Sequence, residues 1–325
     1  MSRRGTVLVV DPTWELESAE RALAGVGVRI ERAKRPEGED VVGLLVCPEV
    51  PVGAAELERL PRLEAVATNS TGYDNLDVEV LASAGVWCSN VAGYCTEEVA
   101  EHTIAFVLAL LRGVVDLDRD MRNGGWYPYP VEPRRVAGTC LGAIGFGRIG
   151  RAVAGRAAAL GMSVVACDPL VPDESIRAAG AEPVPLAQLL ALADVVTLHA
   201  TLDETTRGLI GAEALAAMRP GSFLVNCTRA GLVDHEALGE ALRFGRLAGA
   251  ALDDLRHLPL LPHRGAVQRQ PGGVRGAHQR RNSGETIRGR KSTRSGHTIT
   301  TMRTANTAAR SCRPLNGPMT PRLGG

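Results

Sequence analysis

TCLGAIGFGRIGRAVAGRAAALGMSVVACD, residues 139–168, is the stretch that decides the architecture of this chain. An apolar run to Ile144 leads into Gly145-Phe146-Gly147-Arg148-Ile149-Gly150. A helical pattern then covers Arg148 to Leu160, and a second apolar run ends at Asp168. Strand, tight turn, helix and strand in that order turn a weak G-x-G-x-x-G string into a dinucleotide-binding reading. Gly145 makes the turn, Gly147 leaves room for a pyrophosphate, and Gly150 lets helix and strand pack closely. The pyrophosphate would lie on the exposed N–H groups at the helix start, around Arg148 and Ile149. Asp168 follows Gly147 by about 20 residues, the spacing of an acid that binds the adenosine ribose hydroxyls. A carboxylate there repels a 2′-phosphate, so NAD is expected over NADP.

At 325 residues the chain exceeds the roughly 250–300 at which a single core stops growing, so two domains are expected. Its composition, 45% apolar and 22% charged, is that of a globular protein in water. Cys47, Cys88, Cys95, Cys140, Cys167, Cys227 and Cys312 lack metal-binding spacing. Several sit within apolar runs, which reads as buried free thiols rather than disulfides or zinc ligands. There is no signal peptide pattern and no uninterrupted apolar run of 18 residues, so a cytoplasmic protein without a membrane partner is expected.

The net charge of +1 conceals a break. Residues 255–325 hold 14 Arg or Lys and a single acid, Glu285, which leaves residues 1–254 at −12. Apolar periodicity fades at the same place. A basic tail suits nucleic acid, but this one lacks interleaved aromatics and a recognisable binding helix, so nucleic acid is not an expected partner.

Elsewhere strand and helix patterns alternate. Thr6–Val10, Val41–Val46 and Leu63–Thr68 read as strands, Leu16–Leu23 and Ala54–Leu60 as helices, and Gly85–Cys88 as a further strand. The polar loop Asn69–Asn75 follows a strand end, where ligands bind in open parallel sheets. Asp77 is placed to cap the next helix. Thr96–Arg112 is the longest helical pattern and starts well at Thr96. It is a natural inter-domain element, on which His102 reads as structural. After Asp168, helices are expected at Leu186–Leu192, Ala212–Met218 and Val233–Leu242, with strands at Asp194–Leu198, Ser222–Val225 and Ala248–Leu252. The turns after those strands bring His199, Arg229 and Asp253 toward one crevice. Arg229, just past a strand end beside the dinucleotide turn, suits bidentate capture of a small carboxylate.

NSTGYDNLD (69–77), EEVAEHTIAFVLALLR (97–112), GTCLGAIGFGRIG (138–150), LHATLDETTRGLI (198–210) and NCTRAGLVDHEAL (226–238) together resemble the D-isomer-specific 2-hydroxyacid dehydrogenase family. AGAALDDL (248–255) is most similar to its C-terminal-binding protein branch, and the likeness covers roughly residues 40–255. The resemblance implies an α/β protein in which a Rossmann-type doubly wound parallel sheet, residues 96–253, is inserted in a smaller flavodoxin-like substrate domain. That domain would come from residues 1–95 and the extreme C-terminus, and 254–325 is otherwise an atypical basic tail. It further implies a homodimer through the NAD domain. Backbone at Ser70, Thr71 and Gly72 would hold a substrate carboxylate with Arg229, Asp168 the ribose, and Asp253 a place near the nicotinamide carboxamide. His199, Thr201 and Cys227 would line the cofactor side.

Family chemistry also uses a histidine that protonates the keto oxygen as hydride reaches C2, with a glutamate that raises its pKa. The glutamate's place, about 29 residues past the arginine, holds Leu258-Pro259 here. His278 stands at the histidine's place, with Ser283, Glu285, Thr286 and Ile287 in register behind it. His263, in Pro262-His263-Arg264-Gly265-Ala266, offers the local motif too early. Both histidines, and neither, remain open. A shift of reading frame near Asp254 accounts for charge break, lost periodicity and missing glutamate together, against a divergent tail; the coding DNA there separates the two.

The leading expectation is an NAD-dependent oxidoreductase interconverting a small 2-keto acid and its D-2-hydroxy acid with impaired activity. An NAD(H)-binding, corepressor-like interaction module with little turnover and a defective dehydrogenase stand beside it.

Overall fold

The computed structural model describes residues 5–12, 14, 16–126 and 132–253, and the backbone of 266–268, 287–289 and 299–304. In chain order the strands are β1 (Thr6–Val10), β2 (Arg29–Arg32), β3 (Val41–Val46), β4 (Ala65–Thr68), β5 (Trp87–Asn90), β6 (Cys140–Ile144), β7 (Ser163–Cys167), β8 (Glu182–Pro183), β9 (Val195–Leu198), β10 (Phe223–Asn226), β11 (Gly249–Leu252), β12 (Ala266–Gln268), β13 (Ile287–Gly289) and β14 (Ile299–Thr304). The helices are α1 (Leu16–Leu23), α2 (Ala54–Leu57), α3 (Val78–Ser83), α4 (Thr96–Arg112), α5 (Val114–Arg122), α6 (Arg148–Ala159), α7 (Asp173–Ala178), α8 (Leu186–Leu192), α9 (Ala212–Ala217) and α10 (His235–Arg243).

Two sheets result. The first runs β13-β14-β5-β4-β3-β1-β2. Its five N-terminal strands are parallel and carry the 2-1-3-4-5 order of flavodoxin-like folds. The chain returns from far downstream to add β14 parallel to β5, with β13 antiparallel beyond it. The second sheet runs β12-β11-β10-β9-β6-β7-β8, parallel throughout. From β8 to β11 this is the doubly wound Rossmann order 3-2-1-4-5-6, with β12 added at the edge. Its order reverses between β6 and β9, so the loops after those two strands flank the crevice where such sheets bind ligands.

The second sheet is buried on both faces, as a parallel sheet must be. Side chains alternate: Leu141, Ala143, Val195, Phe223, Val225 and Ala251 enter one apolar cluster, while Ile144, Val196, Leu198, Leu224, Ala250 and Leu252 enter another. Helix α4 belongs to the first of these, through Ala100, Ile104, Phe106, Val107, Leu110 and Leu111. Acids Glu97 and Glu98 in its first turn and Arg112 in its last suit the helix dipole, and Gly113, at φ 63°, ends it. Thr96 is not its cap, contrary to expectation. Cys95 holds the N-cap position, and the Thr96 hydroxyl donates back to the Gly93 carbonyl at 3.4 Å. Asp77 does cap α3, accepting from the Val80 amide at 3.1 Å.

Four elements before residue 254 that the sequence pattern misses share one property. β2 is an edge strand with no buried residue, α5 buries none, α7 buries only Ile176, and β8 has two residues. Without a buried stripe there is no periodicity to read. Among the described residues no helix is long and apolar enough to cross a membrane. No group of His, Cys, Asp or Glu there could hold a metal.

Candidate active site

The dinucleotide turn is built as its glycines require. Gly145 adopts φ +88°, and a β-carbon on it would lie 2.6 Å from the Ala200 amide nitrogen, across the switch point. A β-carbon on Gly150 would run into the Gly145 carbonyl. Gly150 therefore serves the approach of α6 to the turn itself. Gly147, the N-cap of α6, differs: a β-carbon there meets nothing within 4 Å. Having no side chain, Gly147 leaves the first N–H groups of α6, from Arg148, Ile149 and Gly150, to an external acceptor.

Asp168 is fixed at the end of β7. Its Oδ2 accepts from the Phe146 amide at 2.7 Å and its Oδ1 from the Leu170 amide at 2.9 Å. The carboxylate thus abuts the glycine turn with lone pairs left for hydroxyls. An uncapped helix start, open space at Gly147 and a fixed acid beside it fit a dinucleotide. Wild-type protein should bind NADH at least about tenfold more tightly than NADPH, equal to about 1.4 kcal/mol. Titration of both by quenching of tryptophan fluorescence checks this, and equal or reversed affinities would sink it.

His199 follows β9 across the crevice. Its Nε2 lies 3.1 Å from the Thr197 hydroxyl, and burial pushes its pKa from 6.5 down to about 4. The folded state therefore binds the proton less well than the unfolded chain. The associated stability is fully present above pH 6.5 and is lost as pH falls toward 4. It amounts to about 3 kcal/mol at most. Urea midpoints from pH 7.5 to 4.5 should fall for the wild type and fall less for His199→Gln; parallel curves would refute the assignment.

The remaining expected residues divide. Thr201 uses its carbonyl to accept from the Thr206 hydroxyl at 2.6 Å on an exposed loop. Cys227 is buried within the apolar cluster at the end of β10. Asp253 ends β11, its amide bonded to the Asn226 carbonyl at 3.0 Å. Its carboxylate lies 3.7 Å from Nε2 of His102, whose ring packs at 4.3 Å from that of Phe106. His278 and His263 lie outside the described residues.

The other wall comes from the first sheet. After β4 the Ser70 hydroxyl donates to the Gly72 carbonyl at 2.5 Å, and the Thr71 hydroxyl donates to the Val91 carbonyl at 3.2 Å. Asn90 donates to the Thr71 carbonyl at 2.6 Å, which sets the loop's backbone. Arg229 reaches this loop from the second sheet: a β-carbon on Gly72 would run into its guanidinium. The arginine's turn is shaped by Asn226, which accepts from the Thr228 amide and hydroxyl and donates to the Arg229 carbonyl at 2.8 Å. Arg229 Nε donates to Asp74 at 2.8 Å, while its Nη2 is buried without a hydrogen-bond partner among the described residues.

Sequence reasoning missed Asp74, Asn90 and Asn226 as parts of this site. For Asp74 the signal was its place in the polar loop after β4, two residues from the expected carboxylate-binding backbone. No comparable signal marks the two asparagines, whose partners lie across loops.

Comparison with known proteins agrees with this geometry. Residues 104–271 match the D-isomer-specific 2-hydroxyacid dehydrogenase NAD-binding domain. Glyoxylate reductase of Korarchaeum cryptofilum is 38% identical over 239 residues, 72% of this chain and 70% of that protein. Glycerate dehydrogenase of Methylorubrum extorquens is 34% identical over 237 residues, 70% of this chain and 71% of its own. Among solved structures, D-lactate dehydrogenase from Aquifex aeolicus, complexed with NAD and lactic acid, superposes with a TM-score of 0.72 at 27% identity. That superposition covers 78% of this chain and 77% of the other. With its glycine turn and its doubly wound parallel sheet, the chain belongs to the D-isomer-specific 2-hydroxyacid dehydrogenase family, NAD-dependent oxidoreductases acting between 2-keto and 2-hydroxy acids.

Proposed function

We propose that the chain reduces a small 2-keto acid of the glyoxylate or hydroxypyruvate type to its D-2-hydroxy acid, and catalyses the reverse reaction. One observation carries this reading: Arg229 meets the Ser70–Gly72 loop of the first sheet from the end of β10, at the same edge of the second sheet as the dinucleotide turn after β6. A guanidinium with a buried free N–H and a loop of backbone donors suit a carboxylate. The size of the substrate class follows from the similar glyoxylate reductase and glycerate dehydrogenase.

In this reading residues 1–95 form the substrate domain, 96–253 the NAD domain, and 254–325 the tail whose β14 rejoins the first sheet. NADH, when bound, would supply the hydride for C2. Gly145, Gly147, Gly150 and the Arg148 and Ile149 amides would seat its pyrophosphate, Asp168 would hold its ribose, and Asp253 would serve the nicotinamide carboxamide. His199, Thr201 and Cys227 frame the turns around it. A homodimer through the NAD domain suits the exposed Val114, Met121 and Trp126 on and after α5. The free thiols of Cys47, Cys88, Cys95, Cys140 and Cys167 suit a reducing cytoplasm.

Proton donation falls to His278 in this reading, without a glutamate partner. A general acid contributes about 10²–10⁴ in rate, so one without its partner leaves slow turnover rather than none. Purified protein with NADH and glyoxylate or hydroxypyruvate should show weak reduction that drops further in His278→Ala. Robust turnover unchanged by that substitution would remove His278 and leave His263 as the residue to test.

A further inference from the structure

Asp74 stands where an incoming carboxylate would be repelled, on the loop offered to hold one. Its Oδ1 accepts from Arg229 Nε at 2.8 Å, across 155 residues of sequence and from one sheet to the other. Both side chains are about three-quarters shielded, at 26% and 24% exposure, so the contact is stronger than a surface pair. The same guanidinium sends Nη1 to the Thr228 carbonyl at 3.4 Å and leaves Nη2 buried without a partner among the described residues. Gly72 lies against both partners: a β-carbon there would run into the guanidinium and lie 3.0 Å from Asp74 Oδ1.

An arginine can grip a carboxylate through its Nε–Nη2 side or through its Nη1–Nη2 end. With Nε committed to Asp74, only the end is left. We propose that Asp74 is the positioning residue of Arg229: it fixes the guanidinium so that the Nη1–Nη2 end, and not the Nε side, meets the substrate carboxylate. Its negative charge opposes carboxylate binding, so its contribution is geometric. It removes the rotamer freedom of a long side chain before the substrate arrives. This rests on Arg229 being the carboxylate-binding residue.

Oxamate, a small 2-keto acid analogue with one carboxylate, tests the proposal without turnover. Its binding to the full chain saturated with NADH is measured by calorimetry for the wild type, Arg229→Ala, Asp74→Ala, Asp74→Asn and the Asp74→Ala/Arg229→Ala double variant. Arg229→Ala is expected to weaken oxamate about 100-fold. Asp74→Ala should weaken it about tenfold, with NADH affinity unchanged. Asp74→Asn keeps an acceptor oxygen for the Nε–H and should stay within about threefold of wild type. The double variant should bind no worse than Arg229→Ala alone, since Asp74 acts only through the arginine. Wild-type oxamate affinity in Asp74→Ala, with Arg229→Ala weakened, overturns the positioning role and leaves the carboxylate site standing. Equal losses in the Ala and Asn variants, or additive losses in the double variant, also overturn it. Wild-type affinity in Arg229→Ala overturns the carboxylate site itself.

Discussion

Arg229→Ala should lower kcat/KM for glyoxylate or hydroxypyruvate by about 10²-fold or more while NADH affinity stays within about twofold. The guanidinium makes charge-assisted bonds, which contribute about twice as much as neutral ones, and truncation leaves a substrate carboxylate without a countercharge in a partly desolvated crevice. NADH affinity is spared because the arginine's contacts, Asp74, Thr228 and the Gly72 loop, lie on the substrate side. Most of the loss should appear as a raised KM, with kcat falling only as far as orientation of the keto group suffers. Steady-state kinetics paired with an NADH titration separates the two effects. Turnover unchanged by this substitution would remove the foundation of the enzyme reading, since that reading rests on Arg229 meeting the Ser70–Gly72 loop.

Gly147→Ala and Gly150→Ala should part company, although both alter one six-residue motif. At Gly150 the added methyl collides with the backbone carbonyl of Gly145, which no side-chain rotation relieves. Helix α6 must move, and overpacking of this kind costs about 1–3 kcal/mol along with the shape of the cofactor turn. Both Tm and NADH affinity are expected to fall. At Gly147 the methyl enters open space, φ is −72°, and the fold is left nearly as stable, within about 1 kcal/mol for an N-cap change. The same methyl occupies the approach of the pyrophosphate, so NADH affinity should drop about 10²-fold with little change in Tm. Thermal unfolding and NADH titration of both variants provide the check. Equal effects on Tm, or NADH affinity preserved in Gly147→Ala, would contradict a pyrophosphate seat at the start of α6.

The sequence by itself determined the second sheet almost strand by strand, because its strands are buried on both faces and write continuous apolar runs. Gly145, Gly147, Gly150 and Asp168 were legible for a related reason: the turn is local, with Gly145 and Gly150 answering backbone constraints at the next strand end and within a few residues, and Gly147 leaving the start of α6 open. The elements that escaped, β2, α5, α7 and β8, are those whose burial is too slight to leave a period. Arg229 could be singled out by its place after a strand, but not its orientation. Only the tertiary structure brought it to Gly72 and Asp74, across 155 residues and two sheets, since a contact between separately folded loops leaves no spacing in the chain. The same holds for Asn90, which sets the carbonyl of Thr71, and for His102, which the helical pattern places on α4 but only folding brings to 3.7 Å from Asp253. Periodicity records what a residue does within its own element; which loops share a crevice is settled by the order in which strands are laid into the sheet.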